Sequence, residues 1–486
     1  MIRTCIAFFF LGIFFSLDAQ ETPPNILLIL ADDLGHGDLG VTGSTTIQTP
    51  HLDALASSGA LFTQAYVTSP VCSPSRAGLI TGRDPRRFGY ESNLNRDAKY
   101  YPTRPEYLGL PKNEHTLADH LKAVGYHTAL IGKWHLGKEP EHHPNRRGFE
   151  HFLGMLNGSH PYFPTPTKNH LEKNGEAIAS FQPAYLTDFF TKEIINYWDS
   201  LRKSSNSNSP WFVYASYNAP HTPMQATEED LALYQHIPNK KRRTYAAMVH
   251  ALDRGIGHLI KNLNEHNELE NTLIVFLSDN GGTPDNGSWN GDYRGHKGTL
   301  REGGLRVPFF ISWPETIPEG ITIGEPISAL DLLPTFLAAA QAEALPLSDC
   351  PSHEDPNSRQ KGRKRYGDYD GINLLPYLVS TPNSPYPERQ FFWRLRGQTG
   401  ILKGQEKLIT LSHRAPQLYD LKADSKEEID LSATESSTAA QLHELLGQWE
   451  SSLPTVPLWG SEPKWAGHSA MLYDRTAQPE PFTAEK

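Results

Sequence analysis

The residues able to do chemistry fall into a few short groups. Asp32-Asp33 and Asp279-Asn280 offer only oxygen donors, three of them anionic. Such a set suits a hard divalent cation, Ca²⁺ or Mg²⁺, rather than zinc. Either pair alone would read as a helix cap or a turn. Cys72-Ser73-Pro74-Ser75-Arg76 places a thiol two residues before a proline that suits the first turn of a helix ending near Gly82. The expected position of residue 72 is therefore just before that helix, where backbone N–H groups and the dipole favour negative charge. A thiol there is either an activated nucleophile or a packed core group. Lys133-Trp134-His135, Pro220-His221 and Lys297 add cations and imidazoles. With 21 histidines in the chain, most must be structural or surface groups, so no single one of these is diagnostic.

Their placement along the chain says more. Five apolar runs, Asn25–Ala31, Tyr126–Ile131, Trp211–Ser216, Thr272–Leu277 and Arg306–Ser312, read as buried strands. Helical patterns lie between them: one starts at Thr49-Pro50, with Leu52, Leu55 and Ala56 inward and Gly59 as the stop. A longer one runs from about Thr244 with Tyr245, Met248, Leu252, Ile256, Leu259 and Leu263 on one face. The alternation implies an α/β fold with a mostly parallel sheet flanked by helices. Ligands of open α/β sheets bind beyond the carboxyl ends of the strands. Four of these strands are followed by Asp32-Asp33, Lys133 to His135, Pro220-His221 and Asp279-Asn280, so one rim should gather them. After about residue 385, the runs Gln390–Leu395, Gly400–Lys403 and Lys407–Leu411 and a helix over Thr438–Ser452 describe a smaller α+β domain. The stretch from Ser348 to Asp370, basic from Arg359 to Arg365, reads as an exposed insertion.

A net charge of −10 argues against a nucleic-acid partner, while leaving room for an anionic substrate at local cations. The first 19 residues carry Arg3, an apolar run over residues 5–16 and a small residue at Ala19, the pattern of a cleaved signal peptide. The run is shorter than the roughly 20 residues that span a bilayer, so no membrane anchor is expected and export to periplasm or medium is. Cys5 would leave with that segment. Cys72 and Cys350 would then pair as a disulfide, unless Cys72 is used chemically.

The motif Cys72-Ser73-Pro74-Ser75-Arg76 resembles the Cys-x-Pro-x-Arg signature of the formylglycine-dependent type I sulfatases. The likeness continues through Leu79-Ile80-Thr81-Gly82-Arg83, Gly132 to Gly137, Ser278 to Gly282, Arg294 to Gly298 and Glu302 to Pro308, over roughly residues 25 to 335. The resemblance implies an alkaline-phosphatase-like fold and a maturase that oxidises Cys72 to formylglycine (3-oxoalanine). It also implies a calcium ion held by Asp32, Asp33, Asp279, Asn280 and the modified residue 72. Arg76 would hold the hydrated aldehyde, and Lys133 and Lys297 the sulfate oxygens. His221 would be the acid that protonates the leaving alcohol. His135 would be the base that takes the second diol proton, so that sulfate is expelled and the aldehyde regenerated.

The substrate is less legible. Asn157-Gly158-Ser159-His160-Pro161-Tyr162 could line the mouth of the site, and His160, Arg294, Trp393 and Arg394 are subsite candidates by residue type. They would suit a sulfated carbohydrate attacked from its end. The alternative on the same scaffold is a phosphate or phosphonate monoester hydrolase. A non-catalytic carbohydrate-binding relative would show broken site residues, and this sequence shows none. Oligomeric state is not encoded legibly.

Overall fold

The computed structural model describes residues 23–94, 108–165, 170–205, 208–346, 369–379, 385–454 and 473. The expected signal peptide, Cys350 and the basic 359–365 run lie outside these residues.

A ten-stranded sheet forms the centre. Five adjacent strands, Thr272–Ser278, Asn25–Ala31, Trp211–Ser216, His127–Lys133 and His151–Met155, run parallel in that spatial order. Their near-continuous hydrophobicity is explained by burial on both faces. Leu27, Ile29 and Ala31 point into one core, with helices Pro50–Ser57, Leu186–Arg202 and Lys240–Glu265. Ile26, Leu28 and Leu30 point into the other, with helices Cys72–Thr81, Leu117–Ala123 and Leu332–Ala339. The side-chain period of two divides each strand between the two cores.

Both flanks of this parallel block begin with an antiparallel pair, which the apolar pattern could not show, although the outermost Ile321–Ile323 runs parallel to Ala60–Phe62. Phe309–Ser312 pairs antiparallel with Thr272–Ser278, and Leu171–Lys173 with His151–Met155. The long helix begins at Lys240, four residues before its apolar stripe, because the Asn239 side chain caps the Lys241 and Arg242 amides.

Towards the C-terminus, Gln390–Leu395, Gln398–Lys403, Glu406–Leu411 and Gln417–Asp420 form an antiparallel meander. Helix Ser436–Ser452 packs on one face through Leu442 and Leu446. The other face, with Trp393, Leu402 and Ile409, meets Val67, Val71, Leu300 and Leu305, residues that flank Cys72 and follow Lys297. Among the described residues no helix is long and apolar enough to cross a membrane.

Candidate active site

Parallel neighbours bring their carboxyl ends to one rim, and the candidate residues stand there. Asp32 and Asp33 follow the Asn25–Ala31 strand, Lys133 ends its own strand, and Asp279 and Asn280 follow Thr272–Ser278. His221 lies five residues beyond Trp211–Ser216. Cys72 is the first residue of its helix rather than the residue before it. Val71 is the extended N-cap, and Pro74 fits within the first turn, which lacks internal N–H partners anyway. The Cys72 side chain is buried at that N-terminus, as are the other nine residues of the helix. Gly132 (φ 121°) allows the strand before Lys133 to press against its neighbour, since a Cβ there would sit 1.9 Å from the Ser216 carbonyl oxygen. Asp33 and His135 both hold left-handed backbone conformations, with φ of 63° and 59°. That is uncommon for residues other than glycine, and such strain collects at functional sites.

Three carboxylates meet three cations here. Lys133 Nζ donates to Asp32 Oδ2 at 2.6 Å, and Lys297 Nζ to both oxygens of Asp33 at 2.6 and 2.7 Å. Arg76 donates through Nε to Asp279 Oδ2 at 2.8 Å and through Nη1 to Ser216 Oγ at 2.7 Å. The Cys72 sulfur, which stands where a nucleophile's reacting atom would be, is 3.3 Å from Lys297 Nζ and 3.6 Å from Asp32 Oδ1. His221 Nε2 approaches Asp33 Oδ2 at 3.5 Å. Burial disfavours the Cys72 thiolate, yet Lys133 and Lys297 bring the thiol below its usual range.

The two histidines are driven to opposite charge states. Burial lowers His221, but the Asp32 and Asp33 carboxylates outweigh it and push the ring up to about 9. His221 Nδ1 lies 2.7 Å from the Thr222 carbonyl oxygen, which fixes a proton on Nδ1 and leaves Nε2 towards Asp33. Burial, Lys133 and Arg76 all act against a charged His135, which lies well below the ordinary histidine value. A protonated and a neutral imidazole beside one nucleophile make an acid–base pair.

The donor set also fits a hard cation. Asp32, Asp33, Cys72 and His221 offer ligand atoms within 4.8 Å of one another. Asn280 Oδ1 is buried without a hydrogen-bond partner, although its Nδ2 donates to Asp33 Oδ1 at 2.8 Å. Burial and the neighbouring Asp32 carboxylate raise Asp279 above the usual carboxylate range, a sign of excess negative charge. A buried acceptor with nothing to accept from and a crowded carboxylate are both relieved by a cation.

The four subsite candidates all have protein partners. Trp393 is a core residue: fully buried, it donates Nε1 to the Val67 carbonyl and packs on Tyr66 and Phe391. Arg394 pairs with Glu91, and Arg294 donates to the Glu427 and Tyr473 carbonyls. His160 is buried, its Nδ1 2.6 Å from the Pro161 carbonyl oxygen and its Nε2 accepting from the His170 amide. Their residue types suggested sugar contacts, but their polar atoms are turned to protein partners. The 157–162 loop does border the site. A Cβ on Gly158 would lie 2.7 Å from the His135 ring, and Tyr162 Oη donates to the Asn218 and His221 carbonyls.

Ser73 and Ser216 escaped notice in the sequence. Ser73 Oγ donates to the His135 carbonyl at 2.7 Å and also meets Tyr90 Oη, tying the cysteine helix to the strained histidine. Ser216 Oγ bridges Arg76 and the Lys133 carbonyl. Its place at the end of a rim strand was the available signal.

Known proteins share this arrangement's sequence and fold. A family model described as Sulfatase matches residues 24–342. The N-acetylgalactosamine-6-sulfatase of Sus scrofa is 32% identical over 393 residues, covering 78% of this chain and 69% of the relative. Arylsulfatase A of Homo sapiens is 32% identical over 467 residues, covering 85% and 84%. The crystal structure of Ps i-CgsB in complex with k-i-k-neocarrahexaose has a TM-score of 0.79 at 35% identity, over 93% of this chain and 97% of that one. The phosphonate monoester hydrolase of Agrobacterium radiobacter shares the fold alone, with a TM-score of 0.63 at 19% identity.

Proposed function

We propose that this sulfuric ester hydrolase, which belongs to the sulfatase family, acts on a sulfated carbohydrate through a formylglycine made from Cys72, beside a calcium ion. The observation that carries the reading is the placement of Cys72 at a helix N-terminus, 3.3 Å from Lys297 Nζ and 3.6 Å from Asp32, with Lys133, Arg76 and His221 around the same carboxylates. Formylglycine would supply, as its hydrate, one hydroxyl for attack at sulfur and a second whose proton can be removed, which neither a thiol nor a serine hydroxyl offers. Calcium, held by Asp32, Asp33, Asp279 and Asn280, would supply positive charge that favours the ionised hydroxyl.

The chain's own residues do the rest. Lys133 and Lys297 bind the sulfate oxygens as negative charge builds on them. Arg76, braced by Asp279 and Ser216, orients the nucleophile through charge-assisted hydrogen bonds. His221 releases a proton from Nε2 to the leaving alcohol, and the neutral His135 ring accepts the proton of the second hydroxyl. Arg76, Lys133 and Lys297 offset the three carboxylates, so the charged His221 and an added divalent ion would leave the site positive enough to receive an ionised nucleophile and a sulfate monoester.

A carbohydrate substrate is supported by the relatives: one is named N-acetylgalactosamine-6-sulfatase, and the structure at 35% identity holds a neocarrahexaose. Residues 1–19 serve as the export signal in this reading, 20–385 as the catalytic domain and 386–486 as a small C-terminal domain, with a maturase as partner during biogenesis. Kinetics on sulfate and phosphate monoesters of the same alcohol test the reaction class. Sulfate should be strongly preferred, and a higher kcat/KM for the phosphate would replace this reading with the phosphatase one.

A further inference from the structure

We propose that Gln398 and Tyr473, neither of which touches the catalytic cluster, are positioning residues that fix the Lys297 ammonium against Cys72 and Asp33. The proposal rests on the reading of Lys297 as a sulfate-binding cation.

Lys297 sits in a stretch without helix or strand between Ser278 and Glu302. Gly295 (φ 83°) and Gly298 (φ 87°) flank it, and a Cβ added at Gly298 would meet nothing within 4 Å. Local backbone preference therefore does little to hold this lysine. Within the loop Thr299 is tied to His296, amide to carbonyl at 2.9 Å and hydroxyl to carbonyl at 2.7 Å, and His296 Nδ1 lies 3.0 Å from the Lys297 carbonyl oxygen. That turn is itself fastened from outside the loop. Two hydrogen bonds come from the catalytic side: Lys297 N donates to the Gly282 carbonyl at 3.0 Å and Gly298 N to the Pro70 carbonyl at 2.8 Å. The second of these ties the loop to the segment leading into Cys72.

Further restraints come from the C-terminal part of the chain. Gln398 opens a strand of the meander and is fully buried. Its Nε2 donates to the Gly298 carbonyl at 3.0 Å, and its Oε1 accepts from the Leu300 amide at 3.2 Å. One side-chain amide thus grips Gly298 and Leu300, the neighbours of Thr299 on either side, as the backbone of a paired strand would. The Tyr473 hydroxyl accepts from the same Leu300 amide at 2.7 Å and donates to Gln398 Oε1. Tyr473 is buried, with the Arg301 guanidinium 5.2 Å from its ring centroid. Further along, Lys407 lies buried between Glu302 at 2.7 Å and Glu427 at 3.0 Å, and Glu427 accepts from the Glu302 amide. That ion cluster closes the far end of the loop. Gln398 and Tyr473 act at its near end, beside the lysine.

A displacement of about 1 Å in a catalytic group can cost up to ~100-fold, so a loosened anchor should be visible in turnover. The experiment is a double-mutant cycle on the full-length enzyme with a chromogenic aryl sulfate. It combines Tyr473→Phe and, separately, Gln398→Met with Lys297→Ala, with formylglycine content and thermal midpoint matched between variants. Each anchor variant should lower kcat/KM about tenfold with Lys297 present, and by less than about twofold once Lys297 is alanine. Tyr473→Phe keeps the ring and its packing, so it carries the test if Gln398→Met fails to fold. The same factor in both backgrounds, or no loss with Lys297 present, overturns the positioning role while leaving the sulfate-binding role of Lys297 intact. An unchanged kcat/KM in Lys297→Ala alone instead overturns the role of Lys297, and the positioning proposal with it.

Discussion

Replacing His221 by alanine should injure the enzyme in proportion to how badly the leaving group needs a proton. The ring is raised from 6.5 to about 9, against its burial, by the Asp32 and Asp33 carboxylates. That displacement corresponds to ~3 kcal/mol in favour of the charged form, and to roughly a hundred charged rings per neutral one at pH 7. An unperturbed histidine at that pH would be mostly neutral and a poor acid. A sugar alkoxide is a poor leaving group and depends on the donated proton, so kcat/KM on a sugar sulfate should fall by ~10²–10⁴ in His221→Ala. A nitrophenyl sulfate departs as a stable phenolate and should lose less than about tenfold. The wild-type pH profile carries the same information. His221 must be protonated, so activity on the sugar sulfate falls as pH rises through its value. That limb lies at or below about 9, because a cation on Asp32 and Asp33 weakens the attraction that raised it. His135 must be neutral, and its lowered value keeps it so well into mild acid. Equal losses on the two substrates would refute the assignment of His221 as the acid.

Lys407→Met strands the buried Glu302 and Glu427 carboxylates together and should cost ~3–5 kcal/mol of stability. Without the ammonium both acids are raised in the folded state, so the deficit should grow from pH 5 to pH 8 in denaturant melts. A deficit independent of pH would contradict the ion-cluster account. Treatment with a calcium chelator should abolish turnover and lower the thermal midpoint, with Ca²⁺ but not Zn²⁺ restoring both, as an all-oxygen shell requires.

Much of this architecture was legible because burial on both faces leaves a strong mark. The strands ending before Asp32 and Asp279 had to be apolar throughout, and polar residues at their ends therefore stood out as the rim. Asp32, Lys133, His221 and Asp279 could be placed on one rim for the same reason: they follow or end separate strands that run parallel. What escaped depended on geometry with no compositional trace. The antiparallel turn of Phe309–Ser312 uses the same apolar residues a parallel strand would. Residue type alone does not show that Trp393 is buried with its Nε1 on the Val67 carbonyl, or that Arg394 is paired with Glu91. Ser73 and Ser216 act by bridging two partners through one hydroxyl, and only the strand-end place of Ser216 hinted at it. Gln398 and Tyr473 are far from Lys297 in sequence, and only the packing of the meander brings them to it.

The most direct test of the central claim is the intact mass of the tryptic peptide containing residue 72, taken from enzyme that turns over a sulfate ester. The account predicts a loss of about 18 Da from the thiol form, the change from cysteine to the aldehyde. An unmodified thiol in enzyme of full specific activity would contradict it.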